Sequence, residues 1–265
     1  MTTLSILITG ASRGIGLATA KKLATKGHNL GLFDIDMAKL ESSLNDKAFK
    51  KAIESNSIIQ GNLDVTRSED WDSAIDLMTE KFGRIDVLIN NAGILVTGIL
   101  PDTDLDAQLK LIDINCKGVL IGCHKVGSRM TGQKFEKIIN LSSASAIYGQ
   151  PEIAPYSASK FFVRGLTEAL NIEFEPKGIK VIDVMPLWVK TDMTKGVHVT
   201  SIDRLGLNLT PEDVGKLLCK LATSPNTKLT KTHYSVGIPA KIFSTLAQVA
   251  PSAGLVRWVN KMVGA

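Results

Sequence analysis

Three groups of side chains in this 265-residue sequence have types and spacings that could do chemistry. The first is Tyr156-Ser157-Ala158-Ser159-Lys160, in which Tyr156 and Lys160 stand four apart and so share one face of a helix. An ammonium beside a phenol favours the phenolate and lowers a pKa that starts near ~10, which makes the phenol a usable acid or base near neutral pH. The second is Asn140-Leu141-Ser142-Ser143, which ends a strand-like run and puts hydroxyls at the carboxyl end of a strand, where open α/β sheets hold ligands. The third is Thr9-Gly10-Ala11-Ser12-Arg13-Gly14-Ile15-Gly16. Glycines here let the backbone turn sharply and let a pyrophosphate approach the free N–H groups and positive dipole end of the helix that follows. The spacing is G-x-x-x-G-x-G rather than the more familiar G-x-G-x-x-G. Asp34 ends the next strand-like run, about the ~20 residues on expected of an acid that accepts hydrogen bonds from a ribose. Each group alone has a plain structural explanation: a helix face, a strand-end turn, a tight strand–helix connection.

The elements that must position these residues alternate strictly. The sequence predicts strands over residues 4–9, 28–33, 57–63, 85–90, 137–141, 180–185 and 234–236. Helices are expected over 15–26, 36–52, 66–82, 103–130, 156–174 and 210–223. Gly27 is a C-terminal stop, Thr66 to Glu69 has capping-box spacing, and Thr210-Pro211 caps and starts the last of these helices. Such alternation implies an α/β, doubly wound (Rossmann-type) parallel sheet of about seven strands with helices on both faces. With no linker, repeat or low-complexity stretch, residues 1–265 are expected to form one dinucleotide-binding and catalytic domain.

Composition narrows the class. Hydrophobic residues make up 44% and charged residues 22%, an ordinary globular balance. The net charge of +5 is scattered, with no basic block, which does not favour nucleic acid. The three cysteines have no metal-ligand spacing, so no metal is expected, and they fit a reducing, cytoplasmic setting. The start of the chain lacks the features of a signal peptide, and no apolar run is long enough to span a bilayer.

Taken together, these residues closely resemble the short-chain dehydrogenase/reductase family, in its compact single-domain branch. The likeness runs from Leu4 to Asp192 and includes the glycine turn, Asp64-Val65, Asn90-Asn91-Ala92-Gly93, Asn115, Ser143, the Tyr156 to Lys160 segment and Pro186 to Thr191. It implies an oxidoreductase that moves a hydride between a nicotinamide cofactor and a carbonyl or secondary alcohol. By the same resemblance Tyr156 passes the proton, and Lys160 tunes it and binds the nicotinamide ribose. Ser143, thirteen residues before Tyr156, holds the substrate oxygen, and Asn115 positions a water beside the lysine. Gly10, Ser12, Arg13, Gly14, Ile15 and Gly16 would cradle the phosphates, Asp34 the adenosine ribose, and Asp64 and Val65 the adenine. Asn90, Ala92 and Gly93 would lie on the adenosine-ribose side, and Val189 and Thr191 against the carboxamide and phosphates. Asp34 favours NAD(H), because a 2′-phosphate would meet a like charge. Arg13 points to NADP(H) as the alternative. The family commonly has Pro-Gly where this chain has Pro186-Leu187, which puts the local course of the nicotinamide loop in question.

A substrate loop is expected at 192–209, with Met193, Val197, Val199, Ile202, Leu205 and Leu207 as an apolar lining. Ala146, Ile147, Tyr148, Ile153 and Ala154 could add pocket wall, which points to a hydrophobic substrate. The tail, about 241–265, carries apolar residues at helical spacing, suited to packing on the protein's own core or on a second subunit, or to weak contact with a membrane surface. The family likeness implies a homodimer or homotetramer. Two other functions are compatible with the fold: an isomerase or dehydratase that retains its cofactor, and a non-catalytic dinucleotide-binding or scaffolding protein.

Overall fold

The computed structural model describes residues 2–237 together with Ala240 and Gly254. Seven parallel strands form its sheet: β1 Ser5–Thr9, β2 Asn29–Asp34, β3 Ile58–Asn62, β4 Val87–Asn90, β5 Lys137–Leu141, β6 Lys180–Pro186 and β7 His233–Val236. Their spatial order is β3-β2-β1-β4-β5-β6-β7, so the chain reverses direction across the sheet between β1 and β4. In open α/β sheets a ligand crevice lies at that switch point, outside the carboxyl ends of the strands.

Helices α1 Gly14–Ala24, α2 Met37–Ser43, α3 Lys50–Glu54, α4 Ser68–Phe82, α5 Leu105–Ile112, α6 Gly118–Arg129, α7 Ala154–Glu173, α8 Thr200–Leu205 and α9 Pro211–Thr223 connect the strands. Both faces of the sheet are covered, and alternate strand residues feed opposite cores. Ile6, Ile8, Leu30 and Leu32 pack with Ala20 and Leu23 of α1 and with Val214 and Leu218 of α9. Leu7, Phe33 and Leu88 face the other way, onto Trp71 and Met78 of α4, Val119 and Cys123 of α6, and Val163 of α7.

Several boundaries differ from the sequence reading for local reasons. The helix expected over 36–52 is broken. Asp36 caps α2 through Lys39 N–H at 3.0 Å, and Asp46 then takes Ala48 N–H at 2.9 Å and starts a new turn before α3. Short polar side chains of this kind compete with the helix ladder. Thr66 does not cap α4, because its hydroxyl and N–H both go to Asp64 Oδ1, at 2.7 and 2.9 Å. The long helix expected over 103–130 starts at the Asp104 cap and is interrupted by a π-helical turn, Asp113–Lys117, between α5 and α6. The loop expected at 192–209 contains a 3₁₀ turn, Asp192–Thr194, and α8. Apart from Ala240 and Gly254, the tail lies outside the described residues. Ala240 is buried with Tyr148, Met185 and Leu187.

Candidate active site

At the carboxyl end of β1 the chain turns through Gly10, at φ +64°, and Gly14, at φ +55°. A Cβ on Gly10 would stand 2.9 Å from Ala92 Cα, and one on Gly16 would stand 2.2 Å from Gly10 O, so side chains are excluded there. The turn is tied to the end of β4: Asn91 Nδ2 donates to Thr9 O and Gly10 O, both at 2.9 Å. Thr9 Oγ1 in return accepts from the N–H groups of Asn91 and Ala92, at 3.1 and 3.0 Å. The N-terminus of α1 has no side-chain cap and no acid in its first turn, which leaves its N–H groups for an anion. Asp34 holds the neighbouring corner, with Oδ2 accepting from Ser12 N–H at 2.9 Å and Oδ1 from Asp36 N–H at 3.0 Å. The residues thus fit a dinucleotide: a glycine cradle, an open helix end, and a carboxylate fixed one strand away.

A cleft of about 260 Å³ runs from this turn along the strand ends. Ser143, Tyr156 and Lys160 line its far part. Ser143 follows β5 in extended conformation, and its hydroxyl accepts from Ser145 N–H at 3.2 Å near the Tyr156 phenol. Lys160 Nζ donates to Leu141 O at 2.8 Å and lies 5.5 Å from the centre of the Tyr156 ring. Burial pulls Lys160 down to about 8, against a smaller opposing pull from Cys116. Burial also pushes Tyr156 up to about 12, with the Ser143 hydrogen bond acting the other way. This corrects the expectation that the ammonium lowers the phenol. Lys160 points its proton at the Leu141 carbonyl, and the phenol answers to its dry surroundings instead.

Asn115 sits fully buried in the π turn and outside the cleft lining. Its Oδ1 accepts from Ile94 N–H at 2.9 Å, and its Nδ2 donates to Ile94 O at 3.0 Å and Ser159 Oγ at 3.2 Å. Ser159 Oγ in turn reaches Tyr156 O at 2.7 Å, so the amide clamps the loop after β4 to the first turns of α7. Gly93 permits this approach, since a Cβ there would lie 3.1 Å from Asn115 Oδ1.

Of the other expected cofactor residues, Gly10, Arg13, Gly14, Ile15, Asp34, Asp64, Val65, Ala92, Gly93, Val189 and Thr191 line the cleft. Ser12, Gly16 and Asn90 do not. Ser12 is buried, Gly16 packs under Gly10 O, and Asn90 turns into the core, where Nδ2 donates to Asn140 Oδ1 at 2.9 Å. Asn91 takes the place expected of Asn90; strand alternation, which sends successive side chains to opposite faces, is the signal that separates them. Leu187 is no obstacle: it is not among the described residues with positive φ, and its N–H donates to Val236 O at 3.2 Å, prolonging the β6–β7 pairing.

The pocket wall also differs in detail. Met193 and Ile153 line the cleft as expected. Val197, Val199, Ile202 and Leu207 instead pack with Ile153, Tyr156 and Trp188, holding the segment down over the tyrosine. Leu205 joins Ala146, Ile147, Tyr148 and Leu187 in a separate cluster, and Ala154 is exposed. Ala144, Ser145, Gln150 and Trp188 line the cleft and were not singled out by the sequence. Glu152 is a further surprise. It adopts φ +64°, and its Oε2 accepts from Thr200 N–H at 2.7 Å at the start of α8. Trp188 Nε1 donates to Ser201 Oγ at 3.2 Å from the other side. Among the described residues no cluster of acids, histidines and cysteines could hold a metal, all three cysteines are free, and no helix is long and apolar enough to cross a membrane.

Comparison with known proteins agrees with this geometry. The chain is 32% identical over 233 residues to trans-4-hydroxycyclohexanecarboxylate dehydrogenase of Sinomonas cyclohexanicum, covering 87% of this chain and 90% of that one. It is 32% identical over 232 residues to a 3-alpha-(or 20-beta)-hydroxysteroid dehydrogenase of Mycobacterium bovis, covering 87% and 86%. The structure of 3-ketoacyl-(acyl-carrier-protein) reductase from Brucella melitensis complexed with NADH superposes with a TM-score of 0.76 at 27% identity, covering 88% of this chain and 96% of that one. The family model described as short chain dehydrogenase matches residues 5–201, and the chain belongs to that family of NAD(P)-dependent oxidoreductases.

Proposed function

We propose that this enzyme interconverts a largely apolar ketone and its secondary alcohol, with Tyr156 as the proton carrier and NAD(H) as the preferred cofactor. The observation that carries this reading is that Tyr156, Ser143 and Lys160 share one cleft with the glycine turn and Asp34. A bound nicotinamide dinucleotide supplies the hydride in reduction and takes it up in oxidation. In reduction the Ser143 hydroxyl donates a hydrogen bond to the carbonyl oxygen and the Tyr156 hydroxyl transfers its proton to it. In oxidation the same oxygen, ionised as the phenolate, receives the alcohol proton. Lys160 holds its charge beside the phenol, and Asn115 fixes the loop and helix that carry the set.

NAD(H) is favoured because Asp34 keeps its carboxylate at the cleft, anchored by Ser12 and Asp36, where a 2′-phosphate would meet a like charge. Arg13, which lines the same corner, is the cation that would take NADP(H). Steady-state kcat/KM for both cofactors with one ketone tests this in the parent and in Asp34→Ala. The parent is expected to prefer NAD(H) and the variant to move towards NADP(H); a parent preferring NADP(H) overturns the assignment. The exposed Phe161 and Phe162 on α7, at 42% and 40% exposure, support a homodimer or homotetramer formed through this helix. The buried free thiols support a reducing, cytoplasmic setting.

A further inference from the structure

Two residues of the cleft wall between Ser143 and Tyr156 each keep a buried, unpaired polar atom that the reaction does not use. Gln150 lines the cleft at 5% exposure. Its N–H donates to Ser157 Oγ at 3.1 Å, which fastens it beside the first turn of α7, next to Tyr156. Its Nε2 donates to the Tyr148 hydroxyl at 3.1 Å, but its Oε1 is buried and meets no donor. Ser145 lines the same wall at 3% exposure, and its hydroxyl too is buried without a partner. Among the described residues, these are the only unpartnered buried side-chain polar atoms that belong to residues of the cleft. Buried polar groups are paired as a rule, and a missing partner costs free energy that a ligand can return.

The chemistry of the two atoms narrows what would satisfy them. An amide oxygen needs a donor, whereas a serine hydroxyl has a proton to give and lone pairs to fill. A hydroxyl both donates and accepts without charge. A second keto oxygen would leave Gln150 Oε1 unanswered, and a carboxylate would turn negative charge towards it. The surrounding wall is apolar, with Ile94, Leu95, Ile153, Trp188 and Met193.

We infer that Gln150 and Ser145 turn these atoms towards a bound substrate and form a subsite for its second hydroxyl, so that the enzyme acts on a hydroxyketone and the matching diol carried on an apolar skeleton. This rests on the ketone–alcohol reading above and adds a specificity to it. The two residues read a part of the substrate that does not react.

The test compares kcat/KM for cyclohexanone with its 2-, 3- and 4-hydroxy derivatives, in the parent, in Gln150→Met and in Ser145→Ala. The parent should favour at least one hydroxyketone by ~10-fold or more, because a site built to bond a hydroxyl discriminates against the analogue without it. Gln150→Met should lower kcat/KM for that hydroxyketone by ~10–100-fold and change cyclohexanone by less than ~3-fold. Melting temperature and dinucleotide affinity, measured on the same samples, show that the variant is folded. If Gln150→Met does not fold, Ser145→Ala carries the test with the same expected loss of preference. Equal efficiency for all four ketones in the parent overturns the subsite alone, as does a loss in the variant shared by cyclohexanone. Absence of turnover with every ketone overturns the ketone–alcohol reading and the subsite with it.

Discussion

Tyr156 and Lys160 are displaced in opposite directions by one cause. Dry surroundings disfavour the phenolate, pushing Tyr156 up to about 12, and disfavour the ammonium, pulling Lys160 down to about 8. Tyr156 therefore keeps its proton through the neutral range, the state that reduction requires, while Lys160 changes charge within it. The expected profile of kcat/KM for ketone reduction is flat at lower pH and falls as pH rises through about 8. Lys160→Met should remove that limb while lowering the overall rate; a limb that persists would have to belong to another group. Tyr156→Phe should leave the fold and dinucleotide affinity in place and lower kcat by ~10²–10⁴-fold, measured with saturating cofactor. The pair was legible in the sequence because a spacing of four on a helix is local information. The sign of the Tyr156 shift was not, since burial comes from residues as distant as Leu95 and Trp188. Gln150 escaped for a related reason: a lone amide carries no motif, and only packing shows which way it faces. Asn91 stands inside a quoted motif, and strand alternation is what tells it from Asn90.

Among the elements, α8 shows how much structure is invested in keeping the substrate segment closed. Glu152 occupies a left-handed conformation that costs an L residue about 1–2 kcal/mol, and its carboxylate takes the Thr200 N–H at 2.7 Å. Glu152→Gly should relieve the backbone and lose the latch, so that melting temperature holds or rises while KM for the ketone increases several-fold. Glu152→Gln keeps an acceptor oxygen and should stay near the parent in KM. The paired measurements separate the two contributions, because an unchanged KM in the glycine variant would leave the packing of Ile153, Val199 and Ile202 as the whole restraint. The number of strands and their alternation with helices followed from apolar runs and glycine stops. Helix interruptions did not. Asp46 restarts a helix that periodicity alone would continue, and the π turn that holds Asn115 has no signature in hydrophobic spacing.

On the scale of the whole molecule, two cores clamp the sheet, and Lys137 is among the charged side chains buried beside them. Lys137 at the start of β5 is fully buried, with Nζ donating to Leu221 O at 3.2 Å and to Ser224 O, at the C-terminal end of α9. A cation there complements the helix dipole, yet burial pulls its pKa from 10.5 to about 8, against the opposing pull of Asp86. Between those values the unfolded chain binds the proton and the folded one has lost it, so this lysine's contribution to stability rises with pH and falls away as pH drops through about 8. From pH 8 to pH 10 the parent should gain roughly 2 kcal/mol on Lys137→Met, read from urea midpoints at the two pH values. The reversal of strand order between β1 and β4 has a consequence of another kind. The two residues argued to set the cofactor preference, Arg13 and Asp34, precede α4, whereas Ser143, Ser145, Gln150, Tyr156 and Trp188 all follow β4. Cofactor choice and substrate choice are therefore written in separate halves of the chain. A single recombination joint between α4 and β4 could exchange one heritable trait and leave the other untouched, so a lineage built on this fold can change its redox currency without relearning its substrate.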